Sequence, residues 1–260
     1  MSGPETGGLR VERDGLVAWM TLDRPHRRNA IDRATRIALR TATADLEEDE
    51  TVRVIVLTGA GDTFCAGTDL KEQPAEEAPH PLVDRTEPIA QAIERFTKPV
   101  IAAINGPAAG GGLELALAAD LRIASTTARF ALPEVRVGSL PGSGGTQRLF
   151  VAVPPAIAWK MLLTGATIDA EEALRAGLVS DVVAPDDLHG TAQELARTIA
   201  ANAPLSLRAA KAAGRAGLEH RLATGLALER TLWALLATTH DRGEGRRAFR
   251  EGRPPEFEGR

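Results

Sequence analysis

Two patterns of apolar residues alternate along this chain. Short aliphatic runs recur at residues 16–22, 52–57, 99–104 and 121–124, and the first three stop at Asp23, Gly59 and Asn105. The runs at 52–57 and 99–104 are nearly continuous, as in strands buried on both faces. The run at 16–22 follows Asp14-Gly15, the turn of a hairpin begun near Leu9. Between the runs, apolar residues recur at helical spacing. Asp32 caps a helix reaching about Glu47, with Ile37, Leu39 and Leu46 among its apolar positions. Further helices are expected over about 84–96 and 112–119. After Gly144 come helices over about 144–152, 155–163 and 169–176, then a short strand over 178–183. The remainder reads as helical, with breaks at Pro204, near Gly217 and around Gly243. Strand, turn and helix in repetition predict an α/β fold with mostly parallel pairing. Residues 1–183 form the expected core and 184–260 a helical appendage.

Composition narrows the function classes. The 260 residues suggest one domain with an appendage, and 43% hydrophobic and 25% charged residues are ordinary for a globular protein. A formal charge of −4 offers no broad basic footprint for nucleic acid or an anionic membrane. A single cysteine, Cys65, leaves no partner for an intramolecular disulfide and no cysteine-rich metal site. No apolar run is long enough to span a bilayer, and the first residues lack a basic-then-apolar signal pattern. The expectation is a cytoplasmic protein with no membrane or nucleic-acid partner.

The densest chemistry lies between Asn105 and Leu149. Gly110-Gly111-Gly112 directly precedes an apolar helix, where backbone can approach a ligand closely and unpaired N–H groups face it. That suits a developing oxyanion. A tight strand-to-helix turn explains three glycines equally well, and the run is neither G-x-G-x-x-G nor G-K-[ST]. Glu114 stands between Leu113 and Leu115, and Glu134 follows Pro133. Singly, each reads as a helix-start carboxylate; together, beside glycine-rich turns, they are a candidate acid and base. Phe64 to Leu70 is a turn of small residues in which Asp69 suits a helix cap. Cys65 reads as a small buried hydrophobe, not a nucleophile. His189, His220 and His240 read as surface residues, His26 and His80 as loop residues, and no spacing suggests a metal. The arginines at 242, 246, 247, 250 and 253 alternate with Glu244 and Glu251, as on a solvated helix face or a contact with a neighbour's coenzyme A.

These segments resemble the enoyl-CoA hydratase/isomerase (crotonase) family over essentially the whole chain. The matching residues include Leu22-Asp23-Arg24-Pro25 with Arg28-Asn29-Ala30-Ile31, Phe64-Cys65-Ala66-Gly67-Thr68-Asp69-Leu70-Lys71, and Lys98 to Gly106. They continue with Gly110-Gly111-Gly112-Leu113-Glu114-Leu115, Pro133-Glu134 and Leu140 to Leu149, and end at Pro255-Glu256-Phe257. The resemblance implies a crotonase-like spiral of ββα units with a C-terminal helical region. It implies a homotrimer or a homohexamer built as a dimer of trimers, the 184–260 region serving as oligomerisation surface or lid. The implied activity is that of an enoyl-CoA hydratase, an acyl-CoA lyase of fatty acid metabolism with no cofactor beyond the substrate's own coenzyme A. By position, the backbone N–H groups of Thr68 and Gly111 would hold the thioester oxygen and Glu114 and Glu134 would be the catalytic carboxylates. Gly142 would help hold the reacting water. Ala66, Asp69, Leu70 and Lys71 would line the adenine end of coenzyme A, and Arg28 would lie where its phosphates pass. Two positions depart from the family: Asp23 replaces a common asparagine, and Thr68 a usual alanine, adding bulk and a hydroxyl beside the thioester. A 3,2-enoyl-CoA isomerase needs only the Glu134 carboxylate, so retention of both favours hydration. A non-catalytic CoA-binding or assembly protein would be expected to lose a carboxylate or the glycine turn.

Overall fold

The computed structural model describes residues 7–72, 88–219 and 222–260. The start of the helix expected over about 84–96, and His80 and His220, lie outside the described residues. The chain runs β1 (Leu9–Asp14), β2 (Val17–Leu22), α1 (Arg33–Glu48), β3 (Val54–Gly59), α2 (Ala90–Glu94), β4 (Val100–Ile104), β5 (Ala108–Ala109) and α3 (Gly111–Ala118). It continues with β6 (Leu121–Ser125), β7 (Arg129–Ala131), α4 (Gly145–Ala152), α5 (Pro155–Thr164), β8 (Thr167–Asp169), α6 (Ala170–Arg175) and β9 (Asp181–Val183). Four helices follow: α7 (Leu188–Ala200), α8 (Pro204–Glu219), α9 (Leu222–Leu236) and α10 (His240–Glu251).

Six strands make the main sheet in the order β1-β2-β3-β4-β6-β9, parallel except for the β1–β2 hairpin. A smaller sheet orders β5-β7-β8. The continuous aliphatic runs are explained by burial on both faces. Ile55 and Leu57 of β3 join the larger core with Leu39 of α1, Ile93 of α2 and Leu113 of α3. Val54 and Val56 face the other way, onto Leu188, Ala192 and Ala196 of α7. The larger core puts α3 beside the C-terminal ends of the parallel strands, where α/β sheets place their sites.

Several local readings need correction. Asp32 does cap α1, accepting from the Thr35 N–H at 2.8 Å, but among the described residues no helix begins at Asp69. Its carboxylate instead accepts from the Lys71 N–H and from Arg24, both at 3.1 Å. The strand expected from Leu178 shrinks to β9. Gly177 ends α6 in a left-handed conformation, and the Leu178 N–H returns to the Ala173 carbonyl at 2.9 Å, so Leu178 is buried as a helix stop, not a strand. Pro204 does start a new helix, and the other two expected breaks fall close by: α8 ends at Glu219, just past Gly217, and α10 starts at His240, just before Gly243, with Thr239 as its cap. His189 is exposed as expected, yet its ring stacks on Trp19 at 4.2 Å. Arg247 and Arg253 do not belong to a freely solvated face. Both pair with the buried Glu244, which also accepts from the Glu256 N–H at 3.0 Å. Among the described residues no helix is long and apolar enough to cross a membrane.

Candidate active site

The turn from Cys65 to Asp69 hangs between two isolated strand pairings, Ile31 with Thr68 and Cys65 with Ala108. The Ile31 N–H donates to the Gly67 carbonyl at 2.7 Å, and the Asp69 N–H to the Ile31 carbonyl at 3.0 Å. On the other flank the Ala109 N–H donates to the Cys65 carbonyl at 2.9 Å. Thr68 is thereby pinned at both neighbours while no described residue accepts from its own N–H. The Gly111 N–H, at the start of α3, also has no described acceptor. A Cβ built on Gly111 would stand 3.8 Å from the Thr68 nitrogen, so the two free donors lie side by side. They form a cradle for a partial negative charge, reinforced by the positive end of α3.

The glycine run is required by what surrounds it. Gly110 has φ +52°, and a Cβ on Gly112 would come 2.2 Å from the Cys65 carbonyl oxygen. The close-packing explanation therefore holds, and the same close approach at Gly112 sets the Thr68 and Gly111 donors beside each other.

Both glutamates reach this place. Glu114, 3% exposed on α3, has its Oε1 held by the backbone N–H groups of Ser143 at 2.6 Å and Gly145 at 2.9 Å. Those donors come from the second glycine-rich turn, and Gly142 stands exposed one residue before them with open space around it. Glu134 begins the short 3-10 turn Glu134–Val137, and its Oε1 lies 3.1 Å from the Cβ position of Gly110. Its Oε2 is buried and has no hydrogen-bond partner among the described residues. Burial, and secondarily the charge of Glu114, raise the Glu134 pKa above the ordinary carboxylate value. A buried oxygen without a partner is costly to ionise, so this carboxyl is suited to hold a proton.

The other expected site residues lie on the segments flanking Thr68. The Ala66 N–H donates to the Arg28 carbonyl at 3.0 Å, which joins those two segments. Arg28, Ala66, Leu70 and Lys71 are exposed, while Asp69 turns inward to Arg24. Two organising residues escaped the sequence reading. Arg24, named in the sequence only as part of a matching segment, ties Asp32 at 3.0 Å, Asp69 at 3.1 Å and the Ala30 carbonyl at 2.6 Å. Asn29, 1% exposed with φ 54°, donates to the Ala60 and Thr63 carbonyls at 2.9 and 2.6 Å and shapes the turn into Cys65. Asparagine is among the few residues that adopt this backbone conformation readily, and that was its available signal. Cys65 is fully buried, its thiol pushed up to about 12 by burial, which removes it as a nucleophile. Among the described residues no group of three or more His, Cys, Asp or Glu is placed to hold a metal.

This fold and site have counterparts among known proteins. A family model described as enoyl-CoA hydratase/isomerase matches residues 12–260. The (E)-benzylidenesuccinyl-CoA hydratase of Thauera aromatica is 49% identical over 254 residues, covering 96% of this chain and 99% of that protein. The 2,3-dehydroadipyl-CoA hydratase of Escherichia coli is 44% identical over 252 residues, covering 97% and 99%. The crystal structure of an enoyl-CoA hydratase from Bacillus anthracis has a TM-score of 0.91 at 38% identity, covering 97% of this chain and 100% of that one. The chain therefore belongs to the enoyl-CoA hydratase/isomerase family. It has the crotonase fold, α/β with a C-terminal helical region, and is an enzyme of the hydro-lyase kind.

Proposed function

We propose that the site adds water across the 2,3 double bond of a 2-enoyl-CoA thioester, with Glu114 as base and Glu134 as acid. The observation that carries this reading is the contrast between the two carboxyls. Glu114 has one oxygen fixed by two backbone donors, whereas Glu134 has a buried oxygen without a partner and a raised pKa. The thioester oxygen lies between the Thr68 and Gly111 N–H groups. Water sits between the glutamates, steadied by the Gly142 N–H. Glu114 takes a proton from the water as its oxygen bonds to C3. The electron pair of the double bond moves onto the thioester oxygen as an enolate, which the cradle stabilises. The enolate then collapses as C2 takes the proton from Glu134. The scheme needs no group beyond the coenzyme A that the substrate carries. The two hydratase relatives, whose names place them on other CoA thioesters, support this class of substrate.

Coenzyme A enters along Arg28, Ala66, Leu70 and Lys71, with Asp69 holding the turn through Arg24. The 184–260 region serves as oligomerisation surface and lid in a homotrimer or dimer of trimers. Leu222, Leu226, Trp233 and Leu235 of α9 support this, exposing a large apolar surface. A cytoplasmic setting is part of the same reading. The test of the reaction is turnover of crotonyl-CoA in heavy-oxygen water, followed by mass spectrometry. Hydration incorporates one labelled oxygen at C3. A product of unchanged mass with a moved double bond would replace hydration by isomerisation.

A further inference from the structure

The turn that holds Glu114 has no regular secondary structure of its own before α4 begins. What aims its two donors is a clamp from α2. Ser143 is the meeting point. Its N–H donates to Glu114 Oε1 at 2.6 Å, its carbonyl accepts from Arg148 Nη1 at 2.7 Å, and its Oγ accepts from the Ala90 N–H at 2.9 Å. Arg148 in turn donates through Nε to Glu94 Oε1 at 2.9 Å, and its Nη2 pairs with the same carboxylate. The two ends of α2, Ala90 and Glu94, thus grip one residue of the turn, the first directly and the second through a guanidinium. The turn is shaped for this. A Cβ on Gly144 would lie 2.0 Å from Arg148 Nη1, and Gly144 has φ +98°, so glycine is needed both for the backbone and for the guanidinium to lie there. A Cβ on Gly145 would lie 3.1 Å from Glu114 Oε1, so the carboxylate fills the next glycine's space. Arginine suits the middle of such a relay because its planar fork holds a carboxylate and a carbonyl in fixed directions at once.

We propose that Arg148 and Glu94 are positioning residues for the reaction. Acting through the Ser143 peptide, they fix the direction of the Glu114 carboxylate toward the reacting water. The inference rests on the reading of Glu114 as base and adds residues that touch neither substrate nor water. It differs from a simple staple between α2 and α4 in what it predicts. A staple affects melting alone; a positioning clamp affects turnover, and only while Glu114 has a carboxylate to position.

The test is steady-state hydration of crotonyl-CoA by the full-length protein and its variants Glu94→Gln, Arg148→Met and Arg148→Lys, each also in a Glu114→Gln background. In the otherwise native protein, Glu94→Gln and Arg148→Met are expected to lower kcat on the order of tenfold to a hundredfold, the scale of a misplaced catalytic group. KM is expected to stay within about twofold, because no substrate contact is lost. Arg148→Lys, a point charge without the fork, recovers part of the loss. In the Glu114→Gln background the same changes cost nothing further, since coupled residues are not additive. If Arg148→Met does not fold, Glu94→Gln, an isosteric change at a partly exposed residue, decides alone. An active wild type with unchanged kcat in Glu94→Gln overturns the clamp and leaves the hydratase reading standing. So does an equal loss with and without Glu114. A wild type without hydratase turnover overturns the hydratase reading, and the clamp falls with it.

Discussion

At the scale of single residues, the proposed reaction rests on two glutamates in contrasting environments. Glu114→Gln and Glu134→Gln are each expected to lower kcat about 10²- to 10⁴-fold, the span of a lost general acid or base, read by steady-state kinetics. The pH dependence has a definite sign. Glu134 must carry its proton, and burial followed by the charge of Glu114 raises its pKa, so turnover falls on the alkaline side as that proton is lost. The linked effect on stability runs the same way. Because the folded pKa is raised, the favourable contribution is present below the ordinary carboxylate value and is lost as pH rises through the raised one. Once that proton is lost on the alkaline side, an ionised Glu134 therefore burdens the fold. Glu134→Gln is expected to raise the melting temperature on that alkaline side while nearly abolishing turnover; a lower melting temperature there would contradict the assigned burial. That both glutamates stand beside glycine turns was legible in the sequence. Their contrasting surroundings were not, because these depend on which oxygens find donors, and the Ser143 and Gly145 N–H groups arrive from about thirty residues further on.

At the scale of elements, the decisive unit is the glycine run with the Cys65–Asp69 turn packed against it. Gly112→Ala places a methyl group 2.2 Å from the Cys65 carbonyl and must drive the two halves of the cradle apart. The expected cost is about 1–3 kcal/mol of stability. The accompanying loss of turnover is on the order of a hundredfold, as for removal of one oxyanion donor. Thermal melts and kcat measure the two separately; a variant with native turnover would show that the close approach is only packing. Strand positions here were legible because β3 and β4 are buried on both faces, which leaves residues 54–57 and 100–104 uniformly apolar. Leu178 was misread for the same reason inverted: an apolar pair after a helix looks like a strand start, whereas Gly177 turns it back as a cap. Asp69 was misread because its partner, Arg24, lies 45 residues away. Local spacing reports helices and caps well and says little about ion pairs across the chain.

At the scale of the whole molecule, the C-terminal tail is tied back onto α10. Asp241 accepts from the Glu258 and Gly259 N–H groups, both at 2.8 Å, and Arg53 reaches across to the Phe257 carbonyl at 2.6 Å. Glu244 is held down to about 2, first by Arg253 and then by the Glu256 N–H and Arg247. A depressed carboxylate contributes stability above its ordinary value, here 4.5, and loses it as pH falls from there toward about 2. Glu244→Gln is expected to flatten that acid limb of the melting curve and to leave the neutral limb lowered. An unaltered acid limb would show that the tail does not depend on this pair. The general architecture could be read from alternating strands and helices, but this docking could not, since arginines and glutamates in alternation resemble any solvated helix.

In the proposed reaction, one thioester cradle and two differently placed glutamates hydrate an enoyl-CoA. The most direct measurement follows loss of the conjugated thioester absorbance of crotonyl-CoA by wild type, Glu114→Gln and Glu134→Gln under identical conditions. The expected result is steady loss with wild type and rates at least about a hundredfold lower with each variant. A wild-type rate no higher than that of either variant would contradict it.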